Sequence, residues 1–139
     1  MGGDAPTPDE RLVAIVDDDR SVRQSTRRLI ASLGYRAEAF GSAEEFLDSG
    51  RSTKTTCLIL DVRMPGMDGL GLQRRLADGG LAIPIVFITG RASDDEERRA
   101  LAAGALAFLR KPVDKEVLLG VLRTVLERPA SSGGSTDDA

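Results

Sequence analysis

Three consecutive aspartates, Asp17-Asp18-Asp19, follow a short apolar run, and a fourth, Asp61, follows another. Thr89 and Lys111 stand in the same relation to two further runs. If those run ends meet, several carboxylates share one crevice with a hydroxyl and an ammonium at its rim. Carboxylates so placed repel: two unit charges about 4 Å apart cost about 4 kcal/mol at an effective dielectric near 20. Such a cluster persists where a cation occupies it. Oxygen ligands without Cys or His select a hard divalent ion, and two or three carboxylates plus waters suit Mg2+ better than Ca2+. Thr89 and Lys111 would supply the donors that phosphoryl oxygens require. Singly, each residue has a plainer reading. Asp19 and its neighbours could cap a helix, and Asp61 could start a turn. Thr89 could be a strand-end hydroxyl, and Lys111 a solvated charge before Pro112. Complementary chemistry at four run ends argues for a shared site.

Absent residue types narrow the chemistry further. The 139-residue chain has no histidine. That excludes Ser-His and Cys-His mechanisms, a His-ligated metal and a histidine phosphocarrier within the chain. One cysteine, Cys57, excludes an internal disulfide framework and fits a reducing compartment. It reads as a small buried hydrophobe. The length predicts one domain, large enough to hold a core. The apolar share of 41% and charged share of 29% are those of an ordinary globule. The net charge of −3 lies in the ends: residues 1–10 hold three acids and 129–139 hold two, with no base in either, leaving 11–128 at +2. No basic stripe marks the core, so direct nucleic-acid binding is not expected. Residues 1–10 and 129–139 read as disordered tails, the second alternatively as a truncated linker, flanking one domain over 11–128. No apolar run nears the roughly 18 residues of a membrane span, and no signal pattern opens the chain. A cytoplasmic protein is expected, with no membrane contact.

The elements that must position these groups follow from the pattern. Apolar runs at Leu12 to Val16, Arg36 to Phe40, Cys57 to Leu60, Ile85 to Ile88 and Ala107 to Leu109 read as strands. Helical patterns lie between them. Val22, Leu29, Ile30 and Leu33 mark the first, stopped by Gly34. Capping boxes at Ser42 to Glu45 and Ser93 to Glu96 open two others. Gly69 to Leu76 forms one more, ended by Gly79-Gly80, and Gly104 closes its successor. Asp114 caps the last, from about Lys115 to Glu127, before Pro129. Strict β-α alternation predicts an α/β fold: a flavodoxin-like, doubly wound (βα)5 domain with a parallel five-stranded sheet in order 2-1-3-4-5. In that order ligands bind beyond the carboxyl ends of strands 1 and 3, where Asp17, Asp18 and Asp61 lie.

The residues also resemble the receiver domain of two-component response regulators. The carrying segments are Ile15 to Asp19, Leu60 to Gly69, Phe87 to Gly90 and Phe108 to Pro112, spaced over about residues 11–127. Ile88-Thr89-Gly90 and Ala103-Gly104-Ala105 before Phe108 look most like the nitrogen-fixation-regulator subgroup, which often carries a DNA-binding output domain. The resemblance implies that Asp61 accepts a phosphoryl group from a sensor histidine kinase or phosphotransfer protein. It implies Mg2+ held by Asp18, Asp61 and the backbone carbonyl of Arg63, with Asp17 holding the water shell. Thr89 and Lys111 would contact phosphoryl oxygens, and Phe108 would turn inward as Thr89 moves. A cis Lys111-Pro112 bond is implied as well. Val113 departs mildly from the Phe common there. Arg63 and Arg91 fall at variable positions which, the resemblance implies, tune the phosphoryl lifetime.

On this reading the chain is a signalling domain, not an enzyme with a separate substrate. Output is expected through helix 4, strand 5 and helix 5, to a homodimer or an output domain. The apolar positions of helix 5, Val117, Leu118, Leu119, Val121, Leu122, Val125 and Leu126, make a broader stripe than one sheet face needs. The rival reading is a haloacid-dehalogenase-type phosphatase using Asp61 as nucleophile. That chemistry needs an acid two residues on, where Arg63 stands. A flavodoxin-like electron carrier would need a hydroxyl-rich loop after strand 1 and aromatics around the flavin.

Overall fold

Five parallel strands, hydrogen-bonded in the order β2-β1-β3-β4-β5, form the centre of the computed structural model. The structure describes residues 11–127; the expected tails at 1–10 and 129–139 lie outside the described residues. The strands are β1 (Leu12–Val16), β2 (Arg36–Phe40), β3 (Thr55–Leu60), β4 (Ile85–Thr89) and β5 (Ala107–Arg110). The helices are α1 (Arg20–Ser32), α2 (Ala43–Asp48), α3 (Gly69–Asp78), α4 (Asp94–Ala102) and α5 (Lys115–Leu126). The expected topology is therefore the observed one. A 3-10 turn at Ser52–Lys54 precedes β3, a feature no periodicity announced.

Alternation along each strand builds two cores. Ala14, Val16, Leu58, Leu60, Ile85 and Phe87 face α2, α3 and α4, where Phe46, Leu72 and Leu76 pack. Val13, Ile15, Cys57, Ile59, Val86 and Ile88 face the other way, against Ile30 of α1 and Leu118, Leu122 and Leu126 of α5. The near-continuous apolar strands are explained by this double coverage. Truncating a fully buried ring such as Phe46 or Phe87 would cost roughly 3–5 kcal/mol. Cys57 is fully buried, and burial pushes its thiol pKa up to about 12. The broad stripe of α5 is mostly consumed by this packing. Five of its seven apolar residues are buried, Val121 is half-buried, and Val117 is 48% exposed. Among the described residues no helix is long and apolar enough to cross a membrane.

Each helix starts on a short polar side chain at the carboxyl end of the sheet. Asp19, Ser42, Asp68, Ser93 and Asp114 accept first-turn backbone N–H groups of α1 to α5 in turn. The Ser93 box is complete: Glu96 returns the favour to the Ser93 N–H. The Ser42 box is not. Glu45 accepts instead from the Gly41 N–H, one residue earlier. Gly34 and Gly104, at φ 93° and 105°, end their helices in the left-handed region, where a side chain would be strained.

Candidate functional site

Parallel register brings the carboxylates together. Val16 pairs with Leu60, so the next residues, Asp17 and Asp61, leave adjacent strands side by side. The ladder continues past the strands. Asp61 N–H donates to the Val16 carbonyl at 3.0 Å, and Asp17 N–H donates to the Phe40 carbonyl at 3.2 Å. Asp17, Asp18 and Asp61 each present an oxygen within 4.8 Å of the others. Asp17 and Asp61 are buried, whereas Asp18 is exposed. Asp19 belongs elsewhere: its side chain caps α1, accepting from Ser21 and Val22, so the plain helix-cap reading holds for this member of the run.

Lys111 supplies the facing charge. Its Nζ lies 3.2 Å from Asp17 Oδ2 and 3.2 Å from Asp61 Oδ2. The Lys111 N–H donates to the Thr89 carbonyl at 2.8 Å, which fixes it beside the end of β4, and the peptide bond to Pro112 is cis, as expected. Desolvation works against the Lys111 charge, but the two carboxylates outweigh it and raise the pKa. Desolvation raises the Asp17 pKa, and repulsion from Asp61 adds to it. The Asp19 N–H and Lys111 offset only part of that. One ammonium thus faces two buried carboxylates, with a third at the mouth.

These residues open into a crevice of about 790 Å³, lined by Asp18, Asp61, Arg63, Thr89 and Lys111 among others. The donor set is oxygen only and short of positive charge, and it opens to solvent through Asp18. Those properties fit a hard divalent cation such as Mg2+. Thr89 is 1% exposed; its Oγ1 donates to the Arg91 carbonyl and accepts the Arg91 N–H. Phe108 is half-buried beside Phe87, its register partner, with ring centroids 5.7 Å apart. Thr89 lies two residues beyond Phe87 on the same strand face, so Thr89 and Phe108 share the α3–α4 side of the sheet.

Several contacts around the site have no counterpart in the sequence pattern. Glu44 of α2 accepts the Met67 N–H at 2.9 Å and so anchors the loop after β3; this bond holds its pKa down. Gly69 packs so closely that a Cβ there would strike the Asp61 carbonyl and the Phe87 ring. Arg63 reaches Glu96 at 2.8 Å. Arg110 stacks on Phe108 at 5.5 Å from the ring centroid while binding Glu97 at 2.9 Å and the Ala92 carbonyl at 2.8 Å. Glu96 was visible only as a capping acid, and Glu44 only as a member of the Ser42 to Glu45 segment.

Comparison with known proteins agrees with this arrangement. Residues 13–123 match the model of the response regulator receiver domain. The chain is similar to the response regulator protein TmoT of Ectopseudomonas mendocina, 45% identical over 85% of this chain and 54% of TmoT. It spans about half the length of the curated relatives it matches. The solved structure of response regulator StyR superimposes with a TM-score of 0.81 at 40% identity, over 92% of this chain and 65% of that one. A receiver protein from Burkholderia phymatum is 43% identical with a TM-score of 0.72, over 84% and 95% of the two chains. The phosphatase alternative finds no support, since Arg63 occupies the place of its acid and forms an ion pair with Glu96. The chain belongs to the response regulator receiver domains of two-component signalling.

Proposed function

We propose that Asp61 is the phosphoacceptor of this domain. The supporting observation is the Lys111 ammonium at 3.2 Å from both Asp61 and Asp17, inside a three-carboxylate cluster. A carboxylate oxygen of Asp61 attacks the phosphorus of a kinase phosphohistidine. The O–P bond forms, the P–N bond breaks, and the imidazole nitrogen leaves with the electron pair. Asp18, Asp61 and the Arg63 carbonyl would hold Mg2+, with Asp17 ordering its waters. Bound there, the ion would neutralise the phosphoryl oxygens during transfer. Lys111 pairs with one phosphoryl oxygen, and Thr89 turns its hydroxyl from the Arg91 backbone to another. Phe108 then moves toward the space Thr89 leaves.

The partner is a sensor histidine kinase or phosphotransfer protein in the cytoplasm. The α4–β5–α5 face carries the output, to a second copy or to a DNA-binding domain of the nitrogen-fixation-regulator kind. Val117, Leu101 and Leu106, all more than a third exposed, lie on these elements or on the α4–β5 connection. Replacing Asp61 with Asn tests the reading directly. Phosphoryl incorporation from acetyl phosphate or a kinase should fall at least about 100-fold; labelling at the wild-type rate would refute the assignment.

A further inference from the structure

Arg63 spans from the loop after β3 to the start of α4. Its Nη2 donates to Glu96 Oε1 at 2.8 Å, and its Nε donates to the Arg91 carbonyl at 3.4 Å. The same Glu96 oxygen accepts the Ser93 N–H at 2.9 Å, the return bond of the α4 capping box. One carboxylate oxygen therefore both closes the first turn of α4 and restrains a guanidinium beside the crevice. The Arg63 side chain is 57% exposed, against 14% for Glu96, so the arginine is the partner free to leave.

We propose that Glu96 is a positioning residue. It keeps Arg63 away from the acceptor in the resting state, and phosphorylation of Asp61 transfers Arg63 to the phosphoryl oxygens, loosening the first turn of α4. This rests on Asp61 being the acceptor. Charge supplies the drive. Lys111 and a divalent ion together match the three carboxylates, and a phosphoryl group on Asp61 adds about one further negative charge. Arg63 presents a planar fork suited to two phosphoryl oxygens, whereas Glu96 meets it with one. Only the side chain has to swing, because the Arg63 N–H already donates to Asp61 Oδ1 at 3.3 Å. Arg110 keeps its own hold on Glu97 and the Ala92 carbonyl, so the turn loosens without detaching. The route runs from site to α4 without passing through Thr89 or Phe108.

Titration with beryllofluoride and Mg2+, a phosphoryl mimic, tests this on wild type, Glu96→Gln, Arg63→Gln and the double variant. Affinity is read by titration, and the amide signals of residues 93–97 by NMR. Gln at position 96 still accepts the Ser93 N–H, so the cap survives. Glu96→Gln should tighten binding by about two- to fivefold, the scale of one exposed ion pair. Arg63→Gln should weaken binding, cancel the effect of Glu96→Gln, and leave the 93–97 signals nearly still on binding. An unchanged affinity in Glu96→Gln overturns the proposal, as does an equal gain with Arg63 absent. Failure of wild type to bind the mimic at all would remove the acceptor reading and this proposal together.

Discussion

Two acidic clusters sit at the same end of the sheet, and the chain treats them oppositely. The first turn of α4 carries Asp94, Asp95, Glu96 and Glu97. Each has an arginine: Arg63 on Glu96, Arg98 and Arg99 on Asp95, Arg110 on Asp94 and Glu97. The helix N-terminus adds its own partial positive charge. The strand-end cluster has three carboxylates and, among the described residues, Lys111 as its ion-pair partner. It is also the more buried of the two, where charges interact more strongly. The acidic turn of α4 finds its counter-charges within the chain. A buried cluster left short of positive charge is a demand for a cation from outside.

Breaking the scarce cation should have the largest effect. Lys111→Met leaves Asp17 and Asp61 buried without their partner. Unfolding free energy without divalent ions should fall by about 2 kcal/mol at neutral pH, less than for a wholly buried pair because Lys111 is 24% exposed. Chemical denaturation measures it. The raised Lys111 pKa fixes the pH window: this stabilisation is complete below the unfolded-state value and disappears as pH rises through the folded one. Phosphoryl incorporation should drop by about 100-fold in the same variant.

Removing the surplus carboxylate should do the reverse. Asp17→Asn is expected to stabilise the ion-free protein by about 1 kcal/mol, roughly 3 °C in Tm, while blunting the further rise expected on adding Mg2+. The sign follows from the raised Asp17 pKa. A folded-state pKa above the unfolded one gives stability that is present at low pH and lost as pH climbs through it. The Asn variant should lack that decline. A destabilised Asp17→Asn would mean that Lys111 already satisfies both carboxylates.

The smallest effect belongs to the other cluster. Arg98→Ala removes an exposed pair with Asp95, side chains 72% and 60% exposed. Its cost should be about 0.3 kcal/mol and vanish in high salt. A loss several times larger would show that the α4 turn also depends on buried charge.

The contrast explains what could be read from the chain. The strands, their order and the buried carboxylates announce themselves, because burial on both faces makes Val13 to Val16 and Cys57 to Leu60 continuously apolar, and strand ends place Asp17 and Asp61. Glycines at 34 and 104 were legible for the same local reason. The long exposed side chains were not. Arg63 reaches Glu96 across thirty-three positions, and Arg110 reaches Glu97 across thirteen. Nothing periodic links such pairs, since each depends on how loops settle after the core has formed. Glu45 shows the same limit at short range: its sequence position suggests a full capping box, but its carboxylate goes to Gly41.

Cys57 gives the molecule a chemical clock. The only sulfhydryl of the chain lies four residues before Asp61 on β3, fully buried and held protonated far above neutral pH. An alkylating reagent meets a reactive thiolate there only when the sheet opens. The labelling rate of the unmodified protein therefore counts openings of the central strand, and anything that fastens the carboxylates at its end should slow the count.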